Sequence, residues 1–369
     1  MLAHSPFQSL FISAALLVLS LSACKPEPAF LTANTPDKSS VDSFICAMDV
    51  SSLTKILRNG EIFRDSSGKA VLIFPFLKQQ GINTLRFRVW VGTHPDYQAD
   101  TILKLVQLAR KSGFNIWIDL HYSNTWADPG NQEIPAEWSQ TNLASLNSQL
   151  KTYTQQMMRL FNPDIMQIGN EIEGGFLWPL GRSSDTAAFY SLLRTASKAV
   201  RQENPRTPIL LHISNYKRAD YFFSKVQQHG IDFDIAGVSY YPKWHGYNLD
   251  SLFQTLTRVS LKTNKRAIIA ENSYPFTFSW ADWTDNVMGW EGDLHPNYAA
   301  TTHGQFQQVH DLVTGVRNLP TPIASGYAYW EGVWVASEGP ESKEGSVWEN
   351  QACFDFAFKA LPVWNAFQP

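Results

Sequence analysis

The sequence predicts a single (β/α)8 barrel. Short runs rich in β-forming residues alternate eight times with amphipathic helical patterns, and most of these runs are continuously apolar. Apolar runs of this kind are typical of parallel strands that are covered on both faces. With 369 residues, of which 44% are hydrophobic and 17% charged, the chain is long enough to bury one large core. It lacks a Gly-rich dinucleotide fingerprint, which favours a closed barrel over an open doubly wound sheet.

The predicted strands span residues 44–49, 83–90, 115–121, 164–170, 208–213, 234–240, 266–270 and 325–330. The clearest helix between them has apolar residues three and four positions apart from Leu143 to Leu160, so that they share one face. No boundary for a second domain is evident, and residues 44–369 are therefore predicted to form the barrel domain.

Residues 1–23 predict a lipoprotein-type signal peptide. The apolar run from Leu10 to Leu21 is too short for a comfortable membrane span and ends in small residues before Cys24. The ending "LSAC" resembles the lipobox of bacterial lipoproteins, which implies an exported protein, anchored through acylated Cys24 in the periplasm or at the cell surface. An ordinary cleaved signal stays open, because no Lys or Arg precedes the apolar run. Residues 24–43, rich in Pro, Ser, Thr and Asp, predict a flexible tether.

Charge and cysteine content exclude several classes of function. The formal net charge is -3 and no long basic run occurs, so the electrostatic footprint of a nucleic-acid-binding protein is missing. Beyond Cys24, the exported domain retains only Cys46 and Cys353, which are either buried free thiols or a disulfide between the two ends of the barrel. No cysteine cluster has metal-ligand spacing. We expect a monomer without a catalytic metal.

Two carboxylates follow predicted strands at the end of the barrel where active sites lie. Glu171 follows strand four and Glu271 follows strand seven, which places them across the barrel mouth from each other. Such a pair is the minimum equipment for cleaving a glycosidic bond, since one carboxyl group protonates the leaving oxygen and the other attacks or activates water. Other polar or aromatic residues converge at the strand ends: Arg86, Arg88, His121, Asn170, Tyr240, Tyr241, Trp330 and Glu331.

Five long segments follow these strand ends in one order: "HYSNTWADPGNQ" (121–132), "QIGNEIEGGFLWPLG" (167–181), "SYYPKWHG" (239–246), "IIAENSYPFT" (268–277) and "YAYWEGVW" (327–334). They resemble the motif series of the endo-β-1,4-galactanases of glycoside hydrolase family 53, and the resemblance extends from about residue 44 to the end of the chain. It implies a retaining, endo-acting enzyme that cleaves β-1,4-galactan and arabinogalactan type I in pectin side chains, without a required cofactor.

The resemblance also implies roles for individual residues. Glu171 corresponds to the general acid/base and Glu271 to the nucleophile. Arg86 is expected to keep Glu271 ionised, and a tyrosine at the end of strand six is expected to donate a hydrogen bond to it, from either Tyr240 or Tyr241. Asn170, beside the acid, is expected to bind the sugar 2-hydroxyl. We expect Glu173, in contrast, to lie on the loop surface.

Aromatic and histidine residues near strand ends are candidates for substrate contact. Trp126, Trp178, Trp244 and Trp330 follow strand ends, where an indole can stack on a sugar ring, whereas mid-strand Trp117 is expected in the core. The residues His121, His212 and His245 come from three loops without metal-ligand spacing, so we expect sugar contact or support of other side chains.

Three loop features leave alternatives open. Asp128 either binds substrate hydroxyls or shapes the turn before Pro129. Asn124 stands where the family pattern usually has Asp, which removes a charge from that loop. In residues 279–297, we leave open a structural calcium ion bound by Asp282, Asp285, Asp293 and Asn297. The same loop carries Trp280, Trp283 and Trp290, which are candidates for distal sugar subsites.

Two other functions remain as alternatives. An enzyme of the same barrel clan that acts on another β-1,4-linked polysaccharide, such as mannan, would share the mechanism. A surface glycan-binding lipoprotein would retain the cleft without cleavage. The second is disfavoured by the opposed glutamates, because a pure binder gains nothing from burying two carboxylates.

Overall fold

The computed structural model describes residues 43–139, 142–321 and 325–368. The predicted signal peptide, Cys24 and almost all of the predicted tether lie outside the described residues. Eight parallel strands form a closed barrel in the order β1-β2-β3-β4-β5-β6-β7-β8, and pairing of β1 with β8 closes it. The predicted fold class is therefore confirmed.

The strand bounds agree closely with the prediction. They are β1 Ile45–Asp49, β2 Thr84–Val89, β3 Asn115–Leu120, β4 Ile165–Ile168, β5 Ile209–Ile213, β6 Ile235–Ser239, β7 Arg266–Glu271 and β8 Gly326–Tyr329. The helices are α1 Leu53–Arg58, α2 Ile73–Gln79, α3 Ala99–Lys111, α4 Leu143–Phe161, α5 Thr186–Glu203, α6 Ala219–Gln228, α7 Pro242–His245, α8 Leu249–Thr263 and α9 Thr302–Arg317.

Side-chain caps begin the longer helices. At α5 the Asp185 carboxylate accepts a hydrogen bond from the Ala188 N–H, and at α9 the Thr301 side chain accepts one from the Gly304 N–H. Each cap satisfies an amide that has no partner within its own helix. Asn162 and Asn264 end α4 and α8 in the left-handed conformation, which asparagine tolerates better than most residues.

The side-chain alternation of the strands separates two apolar cores. Residues that point into the barrel form one cluster: Ile45, Ala47, Trp117, Ile165, Leu210, Ile235, Ile268, Ala270 and Ala328. Trp117 fills this interior, as expected, and its side chain is fully buried. Intervening residues such as Leu85 and Phe87 belong to the larger cluster between strands and helices. Because the barrel interior is packed with side chains, it is a core and not a channel.

Above the apolar layer, the inward positions of the strands become polar. On β3 the inward-facing residue changes from Trp117 to Asp119, and on β5 it changes from Leu210 to His212. These residues are spaced by two, so they share the inner face of their strand. The polar layer thus lies at the C-terminal end of the barrel, directly on an apolar floor.

Both cysteines of the barrel domain are free and buried. Cys46 lies on β1 with its Sγ atom 3.9 Å from the Phe367 carbonyl oxygen, and burial raises the pKa of its thiol to about 12. The structure therefore has the two buried thiols and not the disulfide that the sequence left open. Among the described residues, no helix is long and apolar enough to cross a membrane.

We predict that the outer core sets the stability of the barrel. Replacing Phe87, which is fully buried on β2, by Ala should lower the free energy of unfolding by about 3–5 kcal/mol, because the substitution removes apolar contacts and leaves a cavity. Urea denaturation would measure it. The control is Leu261→Ala on α8, where the side chain is 58% exposed and the expected change is within about 0.5 kcal/mol. Equal losses in the two variants would contradict this assignment of the core.

Candidate active site

A sharp turn after β4 places Asn170 and Glu171 at the barrel mouth. Gly169 has φ 71° and Glu171 has φ 51°, both in the left-handed region. A Cβ atom on Gly169 would meet Ile172 Cγ2 at 2.6 Å, so only glycine fits there. A left-handed glutamate costs free energy and is retained where the surrounding structure requires that direction of the side chain. The turn therefore explains why the strand ends in Gly-Asn-Glu.

Arg86 of β2 lies at the centre of the polar layer and is fully buried. Its Nη1 atom is 2.7 Å from Glu271 Oε1, and its Nη2 atom is 2.7 Å from Asp119 Oδ2 and 2.9 Å from Asn170 Oδ1. Asp49 Oδ2 lies 3.5 Å from Nη1. One guanidinium thus binds three carboxylates and an amide oxygen, and it fixes the direction of Glu271 and Asn170 together.

The two glutamates occupy different electrostatic environments. Burial raises the pKa of Glu271 to about 7, and the Arg86 guanidinium opposes this shift. Burial raises the pKa of Glu171 well above its ordinary value, and the charge of Glu271 raises it further. Because only Glu271 contacts Arg86, Glu271 loses its proton first and Glu171 retains one.

Side chains from β5, β6 and the residues directly after β6 hold the two carboxylates in place. The Tyr241 hydroxyl donates to Glu271 Oε2 at 3.3 Å. Ser239 Oγ lies 2.6 Å from Glu171 Oε1, and His212 Nε2 lies 3.0 Å from Ser239 Oγ. Both oxygens of Glu271 and one oxygen of Glu171 are thereby hydrogen-bonded, and both residues line the cavity.

A cavity of about 1050 Å³ opens over this polar layer. Its lining includes Glu171, Glu271, Asn170 and a set of aromatic side chains: Trp90, Tyr97, Trp126, Tyr241, Trp244, Trp330, Trp334 and Trp348. The Nε1 atoms of Trp90 and Trp330 are buried and have no hydrogen-bond partner within the described part of the chain. Flat apolar faces with free N–H groups are suited to stack on sugar rings and donate to their hydroxyls.

Arg88 supports the aromatic wall from behind. Its guanidinium carbon lies 4.0 Å from the ring centre of Trp126, 4.4 Å from that of Tyr97 and 5.2 Å from that of Trp330. Glu331 Oε1 accepts a hydrogen bond from Arg88 Nη2 at 2.9 Å. The pair is fully buried, so it holds the rings by cation–π contacts without contacting solvent.

Several residues predicted to bind substrate line the cavity: Asn170, Trp126, Asp128, Tyr241, Trp244, His245 and Trp330. Asp128 also shapes its turn, because its Oδ1 atom accepts hydrogen bonds from the Gly130 and Asn131 N–H groups. The structure therefore shows the turn-shaping role of Asp128, and contact with substrate hydroxyls stays a prediction. His245 Nδ1 accepts a hydrogen bond from the Tyr241 N–H, and burial lowers the pKa of His245 to about 4.

Three residues that the sequence offered as substrate contacts lie outside the cavity lining, and His121 takes the supporting role that was its alternative. Tyr240 alternates with inward-facing Ser239 and Tyr241, so it points into the outer core and donates to the Gly246 carbonyl oxygen. His121 is buried beneath the cavity, where its Nε2 lies 3.2 Å from Asp119 Oδ2 and its Nδ1 accepts from the Ala127 N–H. Trp178 lies outside the cavity lining, and the guanidinium of Arg182 covers its ring.

Glu173 is more than loop surface, which corrects the expectation from sequence. Its carboxylate accepts hydrogen bonds from the Ser214 and Asn215 N–H groups and from the Ser214 hydroxyl. It therefore ties the loop after β4 to the loop after β5. Asn124 donates to Glu137 Oε2 and accepts from the Ala136 N–H, so the amide pairs with a carboxylate that an aspartate would repel.

The loop over residues 279–297 uses its acidic residues for internal contacts. Asp282 accepts hydrogen bonds from the N–H groups of Thr284 and Ser346, and Asp293 lies 3.2 Å from Lys243 Nζ. In the described ranges, no group of three or more His, Cys, Asp or Glu is arranged to hold a metal ion. Trp280, Trp283 and Trp290 are exposed on this loop, whereas Thr284 lines the cavity.

The sequence did not single out four contributors to the site: Asp119, Ser239, Trp334 and Trp348. A signal existed for Asp119, since a carboxylate inside the apolar run "IWIDLH" must face a partner in the barrel interior. Ser239 carries no such signal, because a serine at a strand end is common. Trp334 and Trp348 come from the long segment after β8, whose path depends on tertiary contacts.

The assembled site can cleave a glycosidic bond by acid–base chemistry. A protonated carboxyl group and an ionised one reach the same aromatic-lined cavity, as the two roles in glycoside hydrolysis require. The positive charge of Arg86 beside Glu271 and the burial of Glu171 keep the pKa of Glu271 below that of Glu171.

Comparison with known proteins agrees with this chemistry. The model of the family described as glycosyl hydrolase family 53 matches residues 45–367. The endo-β-1,4-galactanase of Bacillus subtilis is 29% identical, with 88% of this chain and 85% of the relative covered. The arabinogalactan endo-β-1,4-galactanase A of Aspergillus niger is 32% identical over 78% of this chain and 84% of its own.

A solved structure supports the same relationship. The Ignisphaera aggregans GH53 catalytic domain superposes with a TM-score of 0.84 and 31% identity, covering 89% of this chain and 96% of its own. The family match spans the whole barrel, including both glutamates and the strands that carry them. The chain therefore belongs to glycosyl hydrolase family 53.

Proposed function

We propose that this protein is a retaining, endo-acting glycoside hydrolase that cleaves β-1,4-galactosidic bonds in galactan and arabinogalactan type I. The observation that carries the proposal is the pair Glu171 and Glu271, which reach one cavity from environments that keep them in different protonation states. The Bacillus and Aspergillus relatives bear galactanase names, which favours galactan over mannan. The two buried carboxylates favour cleavage over mere binding.

In the first step, Glu171 donates its proton to the glycosidic oxygen while ionised Glu271 attacks the anomeric carbon. The bond from that carbon to the leaving oxygen breaks, and a covalent glycosyl ester forms on Glu271. Arg86 and Tyr241, which hydrogen-bond the two oxygens of Glu271, orient the carboxylate for this attack.

In the second step, Glu171 acts as a base. It takes a proton from a water molecule, whose oxygen attacks the anomeric carbon and releases Glu271 as a carboxylate. Asn170 assists both steps, because its NH2 group donates to the Ala127 carbonyl oxygen with one hydrogen and has a second for the sugar 2-hydroxyl. A hydrogen bond to this hydroxyl strengthens as positive charge develops on the sugar.

The size and lining of the cavity support an endo mode of action. A volume of about 1050 Å³ lies at the upper end of the range for ligand sites, and the space is open to solvent at the barrel mouth. The tryptophans that line the same cavity as the two glutamates suit several consecutive sugar units. The reaction uses these side chains alone and needs no cofactor.

We further propose that the protein is exported and anchored to a membrane through Cys24. The support is the sequence of residues 1–24, where a short apolar segment ends in "LSAC". A tether of about twenty residues rich in Pro and Ser would then give the barrel access to a polymer near the membrane.

We predict that Glu171→Gln and Glu271→Gln each lower the rate of reducing-sugar release from unbranched β-1,4-galactan by about 100-fold or more, because each removes one proton-transfer or nucleophilic role. A substrate with a good leaving group, such as a nitrophenyl galactobioside, should restore glycosyl transfer in Glu171→Gln only, since that leaving group needs no acid.

The matched control for these variants is Glu173→Gln. Its amide oxygen can still accept from the Ser214 and Asn215 N–H groups, so activity should stay within a few-fold of the native protein. Native protein that cleaves mannan and not galactan would overturn the substrate. Binding of galactan without any cleavage would overturn the enzyme assignment.

We predict that the β-anomer of the new reducing end appears first when galactan hydrolysis is followed by proton NMR. Two successive displacements at the anomeric carbon restore its configuration, whereas direct attack by water inverts it. Early accumulation of the α-anomer would remove the nucleophile role from Glu271 and make it a general base.

We predict that the full-length chain partitions into the membrane fraction of a bacterial host and incorporates labelled fatty acid, and that Cys24→Ser abolishes both. The thiol of Cys24 is the atom that would carry the lipid, and serine lacks it. Label in the variant, or native protein found only in the soluble fraction, would contradict the anchor. Galactanase activity of the variant is expected to be unchanged.

A further inference from the structure

A continuous row of hydrogen-bonded side chains joins Arg86 to Glu171 beneath the cavity. Arg86 Nη2 lies 2.9 Å from Asn170 Oδ1, which lies 2.8 Å from His212 Nδ1. His212 Nε2 lies 3.0 Å from Ser239 Oγ, which lies 2.6 Å from Glu171 Oε1. All five side chains are buried. The direction of each hydrogen bond in the row follows from the groups at its two ends.

The row begins with groups that can only donate. A guanidinium has no acceptor, so Arg86 donates to the oxygen of Asn170. The indole of Trp117 also only donates, and its contact of 3.0 Å with Gln167 Oε1 orients that amide. Gln167 therefore directs its NH2 group towards Asn170 Oδ1 at 3.1 Å. Two independent donors thus establish that the Asn170 side chain presents an acceptor to His212.

The acceptor character of Asn170 determines the tautomer of His212. Nδ1 faces two acceptors, Asn170 Oδ1 at 2.8 Å and Glu271 Oε1 at 3.9 Å. The Gln167 NH2 nitrogen also lies 3.4 Å from Nδ1, but its two hydrogens are directed to the Gly169 carbonyl oxygen at 3.0 Å and to Asn170 Oδ1 at 3.1 Å. Nδ1 must therefore carry a hydrogen. Burial and the charge of Arg86 lower the pKa of His212 well below its ordinary value, so the ring is neutral. In a neutral imidazole with a hydrogen on Nδ1, Nε2 is an acceptor.

Ser239 has one hydroxyl hydrogen, and two acceptors compete for it. With Glu171 ionised, the Ser239 hydroxyl donates to Glu171 Oε1, 2.6 Å away, and this bond lowers the pKa of Glu171. When His212 Nε2 takes that hydrogen instead, Ser239 Oγ presents only lone pairs to Glu171 Oε1. A carboxylate oxygen at this distance would be repelled, whereas a protonated carboxyl group would donate to Ser239. Every hydrogen bond in the row is then satisfied only if Glu171 carries a proton.

We propose that His212 is a positioning residue for the general acid: by accepting the hydroxyl hydrogen of Ser239, it favours a proton on Glu171 in the free enzyme. This inference rests on the proposed role of Glu171 in glycoside hydrolysis. When Glu171 gives up its proton, the Ser239 hydroxyl turns from His212 to the carboxylate. His212 Nε2 is then left without a hydrogen, and an unpaired buried acceptor costs free energy.

Other charged or titratable groups also face Glu171. They come from the neighbouring strand ends and loops and comprise Glu271, Glu173, Asp128, Tyr241 and, beyond Asn170, Arg86. Glu271, Glu173 and Asp128 raise the pKa of Glu171 through their negative charge. None of them is altered by a substitution at His212, so an effect of that substitution that depends on Ser239 reports the hydrogen-bond row.

The first test is the tautomer of His212 in the native protein. In long-range proton–nitrogen NMR spectra of ¹⁵N-labelled protein, Nδ1 should be protonated and Nε2 unprotonated at every pH where the enzyme is active. Assignment uses the His212→Phe spectrum. A hydrogen on Nε2, or a doubly protonated ring, would overturn the proposal. This measurement needs no galactanase activity, so it separates failure of the inference from failure of the proposed function.

The second test is the pH dependence of kcat/KM on galactan. In His212→Phe, the alkaline limb, which reports Glu171, should move to lower pH by roughly one unit. The substitution removes the hydrogen bonds that stabilise the protonated form of Glu171, so Glu171 loses its proton at lower pH. If Nε2 instead donated to Ser239, loss of His212 would weaken Ser239 as a donor to the carboxylate and move the limb upwards. The acidic limb, which reports Glu271, serves as an internal control and should shift less.

A double-variant cycle isolates the route through Ser239. In the Ser239→Ala background, His212→Phe should leave the alkaline limb unchanged, because the hydroxyl that connects the two residues is gone. An equal shift with and without the hydroxyl would show that His212 acts only through packing or charge, and would overturn the relay. Circular dichroism of each variant checks that it is folded.

Discussion

The buried guanidinium of Arg86 is the interaction on which the site depends. Its positive charge lies among Asp49, Asp119 and Glu271, and none of these carboxylates has access to enough water to be stable alone. Removing one partner of such a cluster leaves uncompensated buried charge, which typically costs about 3–5 kcal/mol. The cluster is therefore stable only as a unit. Within the cluster, the charge of Arg86 opposes the rise in the pKa of Glu271 that burial causes, and the same guanidinium orients the Asn170 amide.

The barrel makes this arrangement possible because it supplies an apolar floor and a ring of inward positions. Trp117 fills the interior below Arg86, with the guanidinium carbon 5.3 Å from its ring centre, and Trp330 lies on the other side at 5.2 Å. The arginine thus lies between two indoles, one belonging to the core and the other to the cavity. A second arginine, Arg88, repeats the contact for Trp126, so charge and aromatic surface support each other across the cavity wall.

Hydrogen-bond direction adds a constraint that distances alone do not show. Donor-only groups at Arg86 and Trp117 impose an orientation on Asn170 and Gln167, and from there on the imidazole of His212. In an interior without water, each wrongly directed hydrogen bond leaves an unpaired buried group, so each bond sets the donor or acceptor role of the next group in the row. Glu271 is thus bound to Arg86 directly, whereas Glu171 is connected to the same arginine through Asn170, His212 and Ser239.

The sequence by itself determined the fold and the positions of Glu171 and Glu271 at the barrel mouth. Eight apolar runs with helical patterns between them specify a parallel barrel, and a glutamate after the fourth and seventh runs must lie at its mouth, because side-chain periodicity and strand polarity are local properties. Resemblance to a family implied roles for Asn170, Arg86 and Tyr241, and in the structure Arg86 and Tyr241 hydrogen-bond Glu271. Only the tertiary structure decided which strand-end residues reach the cavity. Tyr240 turns outward and Tyr241 inward, His121 lies below the site, and Ser239 and Asp119 enter it. These outcomes depend on register and on contacts between strands far apart in the chain, and a single strand carries no information about what faces it across the barrel.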